Sequence, residues 1–204
     1  MTYRKIFTIG HSTHSFPVFQ SLLQQHEVTA VADVRSVPVS RFAPQFNRDM
    51  VKRGLHDCGI KYVFLGGELG ARSNNPSCYI DGRVRYERLA QTPEFSKGIE
   101  RLLRGMQTER IAVMCTEQEP LDCHRTILIA RVLTERGVTV DHIHGDGSIE
   151  SHPAAMRRLM AKFDLIEDDL LYTPTERMAM ALSRQEQKIA YYNENFRLHK
   201  APSR

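Results

Sequence analysis

The segment from Ile111 to Arg125 holds the residues of this chain that are best suited to chemistry. It reads IAVMCTEQEPLDCHR, so an apolar run ends at Cys115, a polar loop follows, and Cys123-His124-Arg125 opens the next apolar pattern. A thiol, an imidazole and a guanidinium are thereby brought to a strand end, where open α/β sheets bind their ligands. The pattern indicates a site for an electrophile or an anion.

The two cysteines of this segment have more than one role open to them. Cys115 is either a nucleophile, whose thiolate needs help from His11, Arg125 or a helix N-terminus, or a small buried hydrophobe that ends a strand. Cys123 is the second candidate nucleophile, assisted by His124, because the positive end of a helix dipole lowers a thiol pKa. Rhodanese and phosphatase loops place a cysteine similarly, but TEQEPLDC is longer and more acidic.

Metal binding and oxidation are weaker alternatives for the same residues. Cys115, Cys123, His124 and His11 could supply three or four ligands, but C-x7-C-H is not a familiar zinc spacing and no C-x-x-C occurs. We therefore predict no metal site and no cofactor, with zinc as a minority alternative. A Cys115–Cys123 disulfide is another minority alternative, since it needs the two Cα atoms close together.

Acid-base and anion-binding groups are expected on the neighbouring loops. Glu117 and Glu68 are the candidate general acid or base, although each could instead pair with an arginine. Arg125 could aim its planar fork at a phosphate or carboxylate, or form a salt bridge that holds the loop. The candidate substrate-binding residues are Ser12, Asp33, Arg35, Arg41, Gly66, Gly67 and Arg125.

Short apolar runs alternate along the chain with stretches of helical periodicity. The patterns predict strands at 5–9, 29–34, 62–65, 111–114 and 138–143. Such alternation favours an α/β fold with a mainly parallel five-stranded sheet and helices on both faces. Residues 1–150 are expected to form this α/β domain, and residues 151–204 an α-helical C-terminal extension that packs on it.

Composition narrows the class of protein. The 204 residues, 41% apolar and 25% charged, suit one sizeable core. The formal net charge of +4 permits an anionic partner without requiring one. We expect a cytoplasmic protein with no membrane segment, because no apolar run is long enough to span a bilayer and no signal peptide is evident. An apolar stripe on the last helix favours core packing or a homodimer.

Several motifs resemble the domain-of-unknown-function family 488. They are TIGHST (8–13), DVRSVPVSR (33–41), PQFN (44–47), LGGELG (65–70) and C-x-E-x-x-P-x-x-CHR (115–125). HIHGDG (142–147) and KIAY (188–191) are similar to a longer subgroup of that family. The resemblance covers nearly the whole chain. It implies the α/β fold and the site, but it names no reaction.

The leading hypothesis is a cytoplasmic enzyme, a hydrolase or transferase, acting on a nucleotide, a nucleic-acid component or another phosphorylated substrate. Its site would lie at the carboxyl ends of the strands, with Arg35, Arg41 and Arg125 holding the anion. The alternative is a non-catalytic module that binds nucleic acid through arginines and aromatics of the loops, such as Arg72, Arg83 and Arg85 with Tyr79 and Tyr86 in segment 72–86. A cysteine-based redox or metal sensor is the third hypothesis.

Overall fold

A six-stranded sheet forms the centre of the computed structural model, which describes residues 5–167 and 171–197. The strands are β1 (Lys5–Gly10), β2 (Ala30–Asp33), β3 (Lys61–Phe64), β4 (Tyr79–Ile80), β5 (Arg83–Val84), β6 (Ile111–Cys115), β7 (Thr139–Ile143) and β8 (Ile149–Ser151). β4 and β5 form a separate small hairpin, and the other six make the sheet in the order β3-β2-β6-β1-β7-β8.

The sheet confirms the predicted fold class and adds one strand to it. The five predicted strands are parallel to one another, whereas β8 runs antiparallel to β7. The expected five-stranded sheet was therefore one strand too few. β8 has only three residues, which is too short for a period-of-two pattern to stand out. It follows a turn in which Gly147 has a positive φ of 85°.

The helices are α1 (Phe16–Gln25), α2 (Arg48–Asp57), α3 (Gly66–Leu69), α4 (Tyr86–Ala90), α5 (Pro93–Gly105), α6 (Arg131–Glu135), α7 (His152–Lys162) and α8 (Pro174–Ile189). A π-helix over Arg125–Ala130 leads directly into α6. Within the two described ranges, none of the helices has the length and apolar character to cross a membrane.

Helices cover both faces of the sheet, as predicted. Phe19 and Leu23 of α1 and Leu55 of α2 pack on one face, and α5, α6 and α7 pack on the other. Alternation along β6 sends Met114 to the first face and Cys115 to the second, because successive side chains of a strand point to opposite sides. The Cys115 thiol therefore lies on the same side as the π-helix and α8.

Candidate active site at the carboxyl edge of the sheet

The end of β6 lies between the ends of β1 and β2. Gly10 pairs with Cys115, and Asp33 pairs with Met114. The loop after β6 folds back so closely that a Cβ on Gly10 would lie 1.8 Å from the carbonyl oxygen of Glu117. A glycine is therefore required at the end of β1 for this loop to take its course.

Two thiols, an imidazole and a carboxylate meet at this edge. Glu117 Oε2 lies 3.2 Å from Cys115 Sγ and 3.1 Å from Cys123 Sγ, and it accepts a hydrogen bond from each thiol. His124 Nδ1 lies 3.8 Å from both sulfur atoms. The cysteines and the histidine are buried, whereas Glu117 is exposed as a residue and turns its carboxylate towards the thiols. We refer to Cys115, Glu117, Cys123 and His124 as the thiol cluster.

The loop between Cys115 and Cys123 is held in place by a buried arginine. Arg125 is completely buried and donates to the backbone carbonyls of Glu117 and, at 3.1 Å, of Gln118. A 3-10 turn over Pro120–Asp122 then returns the chain to Cys123. Gln185 of α8 donates from Nε2 to the Leu121 carbonyl at 2.8 Å, which fixes this turn from the outside. The two cysteines thus face each other because backbone and helix contacts hold the loop between them.

The environments of the two thiols differ. The hydrogen bond with Cys123, together with burial, raises the pKa of Cys115 well above its usual value. Burial also opposes ionisation of Cys123. The hydrogen bond from Cys115 and the positive charge of Arg125 outweigh that effect and hold the pKa of Cys123 well below its usual value. Cys123 is therefore the thiol of the pair that ionises more readily.

The acid-base groups of the cluster are shifted as well. Burial and the negative charge of Cys123 raise the pKa of Glu117. Burial lowers the pKa of His124, but the hydrogen bond and Coulomb attraction of Cys123 and the charge of Glu117 raise it overall. Both shifts favour a proton on these groups, and a carboxyl or imidazolium in that state can act as a general acid.

Asp33, Arg35 and His11 form a buried chain next to the thiol cluster. Arg35 donates to both carboxylate oxygens of Asp33, at 2.9 and 2.6 Å, and its Nη1 lies 3.1 Å from His11 Nε2. A guanidinium only donates, so His11 accepts with Nε2 and carries its proton on Nδ1, 2.9 Å from the Ser12 carbonyl. Burial and Arg35 accordingly lower the pKa of His11 to about 4. His11 is a neutral support of Arg35.

A cavity of about 170 Å³ opens over the thiol cluster. The cavity is lined by Arg35, by the four residues of the thiol cluster and by the start of the loop after β2. Side chains from distant segments complete its wall. The lining residues that were missing from the predicted site are Ser36, Val37, Ala71, Arg72, Tyr86, Thr116, Asp122, Ile189 and Tyr191. Arginine–aromatic composition drew attention to Arg72 and Tyr86, but no sequence pattern indicated that the end of α8 would close the cavity.

Other predicted site residues lie elsewhere. Glu68 pairs with Arg101 of α5, and it lines a separate cavity of about 370 Å³ together with Gly66 and Gly67. Arg41 is exposed and does not line the cavity over the thiol cluster. Ser12 contributes its backbone nitrogen, which donates to the Thr116 carbonyl at 2.8 Å. Arg125, with its contacts to carbonyls, holds the loop and does not line the cavity.

The arginines of the 72–86 segment have aromatic and acidic neighbours within the chain. The Arg72 guanidinium lies 4.8 Å from the Tyr191 ring centre, and that of Arg83 lies 6.0 Å from the Tyr192 ring centre. Arg85 forms a 2.8 Å ion pair with Glu186 of α8. The ion pair with Glu186 engages Arg85, a group that the nucleic-acid alternative would use to bind phosphate.

The thiol cluster also has the composition of a metal site. Among the described residues, the ligand atoms of Cys115, Cys123 and His124 lie within 4.8 Å of one another. All three residues are buried, and all four cysteines of the chain are free thiols. The arrangement can therefore act through sulfur as a nucleophile or as a ligand.

The central part of the chain matches a known protein family. Residues 16–132 match the family described as Domain of unknown function DUF488. No curated protein and no solved structure matches the chain. The matched span contains the Asp33–Arg41 motif and the cysteine motif from Cys115 to Arg125, while 8–13 and 142–147 lie outside it. Because the match covers more than half of the sequence, the chain belongs to the DUF488 family.

Proposed function

We propose that the protein is an enzyme, a hydrolase or group transferase, that acts on a small anionic substrate over the thiol cluster. One observation carries the proposal: two buried thiols, an imidazole and a carboxylate converge at a cavity that also has guanidinium groups in its wall. Clefts with a few convergent polar groups are the usual form of small-molecule sites.

The charge of the cavity wall supports an anionic substrate. Arg35 and Arg72 both line the cavity. Arg35 is held at a fixed position by Asp33 and His11, while Arg72 is exposed and lies over the Tyr191 ring at the cavity wall. A planar guanidinium matches phosphate and carboxylate oxygens well. The volume of about 170 Å³ suits a small phosphorylated or carboxylated molecule better than a nucleic-acid strand.

Two chemistries fit the thiol cluster. A thiolate can attack the substrate, or the sulfurs and the imidazole can hold a metal ion that activates water. In both cases Glu117 lies close enough to the reacting centre to accept or donate a proton. Both chemistries require Cys123, and neither requires the distant, half-buried Cys58.

The proposal is tested by turnover of a panel of phosphomonoesters, nucleotides and carboxylate esters. We expect one class to be hydrolysed or transferred, and Cys123→Ser to lower kcat/KM by a factor on the order of 100 or more. Cys58→Ser is the matched control and should leave the rate unchanged. Arg72→Ala should raise KM for the anionic substrate with a smaller effect on kcat, because Arg72 would act in binding.

The nucleic-acid alternative makes a different prediction in the same preparation. It requires oligonucleotide binding that weakens steeply with salt and survives alkylation of the cysteines. Such binding, without turnover of any member of the panel, would refute the enzymatic proposal. We place the activity in the cytoplasm, where a reducing environment keeps the free thiols of the cluster from oxidation.

A further inference from the structure

We infer that the thiol cluster is a zinc site, with Cys115, Cys123 and His124 as protein ligands and Glu117 as the exchangeable fourth ligand. The inference deepens the proposed function, since it concerns the same site. It replaces sulfur attack with metal-assisted chemistry. It differs from the expectation, drawn from spacing, that the chain has no metal site.

The distances within the cluster suit a tetrahedral metal ion. Zn–S bonds of about 2.3 Å and Zn–N or Zn–O bonds of about 2.0–2.2 Å place sulfur about 3.6 Å from a nitrogen or oxygen ligand. In the structure His124 Nδ1 lies 3.8 Å from both sulfur atoms, and Glu117 Oε2 lies 3.1 and 3.2 Å from them. Adjustments of a few tenths of an ångström would bring these atoms to coordination distance.

The ligand types select the metal. Two thiolates and an imidazole are the donors that Zn²⁺ prefers, and a carboxylate is an acceptable fourth donor. A hard cation such as Mg²⁺ would instead need an octahedral set of oxygen ligands. The cluster offers a single carboxylate.

The loop geometry explains how an unfamiliar spacing can serve as a zinc motif. Cys115 ends β6, and the 3-10 turn over Pro120–Asp122 brings Cys123 back to it. Cys123 itself is extended, with φ −136° and ψ 142°, and His124 begins the helical turn. This change of backbone conformation lets two adjacent residues direct Sγ and Nδ1 to one point, which neighbouring positions inside a helix do not do.

The surroundings neutralise the charge that zinc binding would create. Binding forms two Zn–S bonds and one Zn–N bond, and it releases to solvent every proton that the two sulfur atoms and His124 Nδ1 still carry. With Glu117 ionised, two thiolates and one carboxylate around Zn²⁺ carry a net charge of −1. The buried guanidinium of Arg125 and the nearly buried guanidinium of Arg35 lie close enough to stabilise the thiolates. If Glu117 leaves, the open position faces the cavity, where water or substrate can bind.

The first experiment uses the full-length protein, reduced, stripped with a chelator and titrated with Zn²⁺ against a chromophoric competitor. We expect one Zn²⁺ per chain, bound with release of protons from the ligands. Co²⁺ should give the intense absorption of thiolate-to-metal charge transfer. Cys115→Ser and Cys123→Ser should each weaken Zn²⁺ binding by about 100-fold or more, and Cys58→Ser should not change it. Glu117→Gln should keep stoichiometric binding and change the Co²⁺ spectrum.

A second measurement needs no variant, so it remains informative if a cysteine variant fails to fold. Zn²⁺ should protect Cys115 and Cys123 of the native protein from iodoacetamide, and mass spectrometry should find Cys58 alkylated to the same extent with and without the metal. The zinc inference is overturned if Cys115 and Cys123 are alkylated to the same extent with and without Zn²⁺. It is also overturned if the Co²⁺ complex shows no charge-transfer absorption. Stoichiometric zinc without turnover of any substrate would overturn the proposed function alone. Turnover by the metal-free protein would overturn the zinc inference alone.

Discussion

Arg125 Nη2 lies 3.1 Å from the carbonyl oxygen of Gln118, so a completely buried guanidinium holds the loop between the two cysteines of the site. Arg125 also donates to the Glu117 carbonyl. Both acceptors are backbone atoms, so the contact fixes the path of the loop whatever side chains the loop carries. The arginine of the CHR motif is therefore a structural partner of the thiol cluster.

Replacing Arg125 with methionine should lower the free energy of unfolding by about 2–4 kcal/mol, because two loop carbonyls lose their donor and a fully buried side chain is exchanged. Arg125→Lys should recover only part of this loss, since a single ammonium cannot reproduce the planar fork. Urea unfolding measures both. Arg136→Met, at an exposed ion pair with Glu100, is the control and should change stability by no more than about 0.5 kcal/mol. An equal effect at the two positions would contradict the assignment.

Asp33 balances the charge of the neighbouring Arg35. Both are buried, and Tyr62 Oη adds a 2.8 Å hydrogen bond to Asp33. Asp33→Ala leaves a guanidinium buried without its carboxylate, which costs about 3–5 kcal/mol. Denaturant unfolding should show this loss, whereas Asp57→Ala, at an exposed site, should be close to neutral. A small effect of Asp33→Ala would mean that Arg35 readily finds water or another acceptor.

The strands were predictable because each parallel strand buried between helices leaves a short apolar run. β6 is the clearest case, since all five of its residues are buried. The approach of Cys115 to the Cys123–Arg125 segment followed from the same reasoning, because one ends a strand and the other opens the next helix. A regular helix would have directed Cys123 and His124 to different sides, but Cys123 is extended, so both reach Cys115. Apolar runs and helical periodicity in the sequence therefore predict contacts that are made within one β-loop-α unit.

Long-range contacts were not predictable from such patterns. Glu68 follows β3 closely, but the short helix α3 turns its carboxylate to Arg101 of α5 and away from the thiols. Tyr191 and Ile189 reach the cavity from the end of α8, which packs against the loop after β6 through Gln185. The positions of these side chains depend on how distant helices pack, and the spacing of residues along the chain carries no information about that packing.

Alanine substitutions at two glycines test how closely the loop after β6 approaches the end of β1. We expect one substitution to lower stability and the other not to. Gly10→Ala places a Cβ 1.8 Å from the Glu117 carbonyl oxygen, so the loop must move. We expect a loss of about 2 kcal/mol or more in unfolding free energy, and altered reactivity of the thiols towards iodoacetamide. Gly67→Ala is the control. It lies in α3 with nothing within 4 Å of its Cβ, so stability should stay equal or rise by about 0.5–1 kcal/mol.

The Gly67→Ala variant also tests the predicted substrate-binding role of Gly67. A glycine needed for close approach of a ligand would lose substrate affinity when a methyl group is added, while its stability would not fall. Since Gly67 lies outside the cavity over the thiol cluster, we expect unchanged KM in the turnover assay. A raised KM in a fully stable Gly67→Ala protein would move the substrate towards the second cavity.

A buried pair of histidines should make stability depend on pH. His142 Nδ1 lies 2.7 Å from Thr8 Oγ1, and its Nε2 lies 3.2 Å from His152 Nδ1. Burial, with like charge from His152, lowers the pKa of His142 to about 2. Burial, with Arg131, lowers that of His152 to about 4. The charged or titratable groups that face the pair are Arg125, Arg131, His144, Glu150 and Arg158.

Because both pKa values are depressed in the folded protein, the unfolded chain binds more protons below pH 6.5. The stabilising effect of the neutral pair is therefore complete above that pH, and it is lost progressively as the pH falls from 6.5, down to about 4 for His152 and about 2 for His142. Between pH 7.5 and 5.5 we expect a loss of about 1 kcal/mol per histidine in urea unfolding. His152→Gln should flatten this dependence, and the exposed His56→Gln should not. An unchanged slope in His152→Gln would show that other groups control the acid sensitivity.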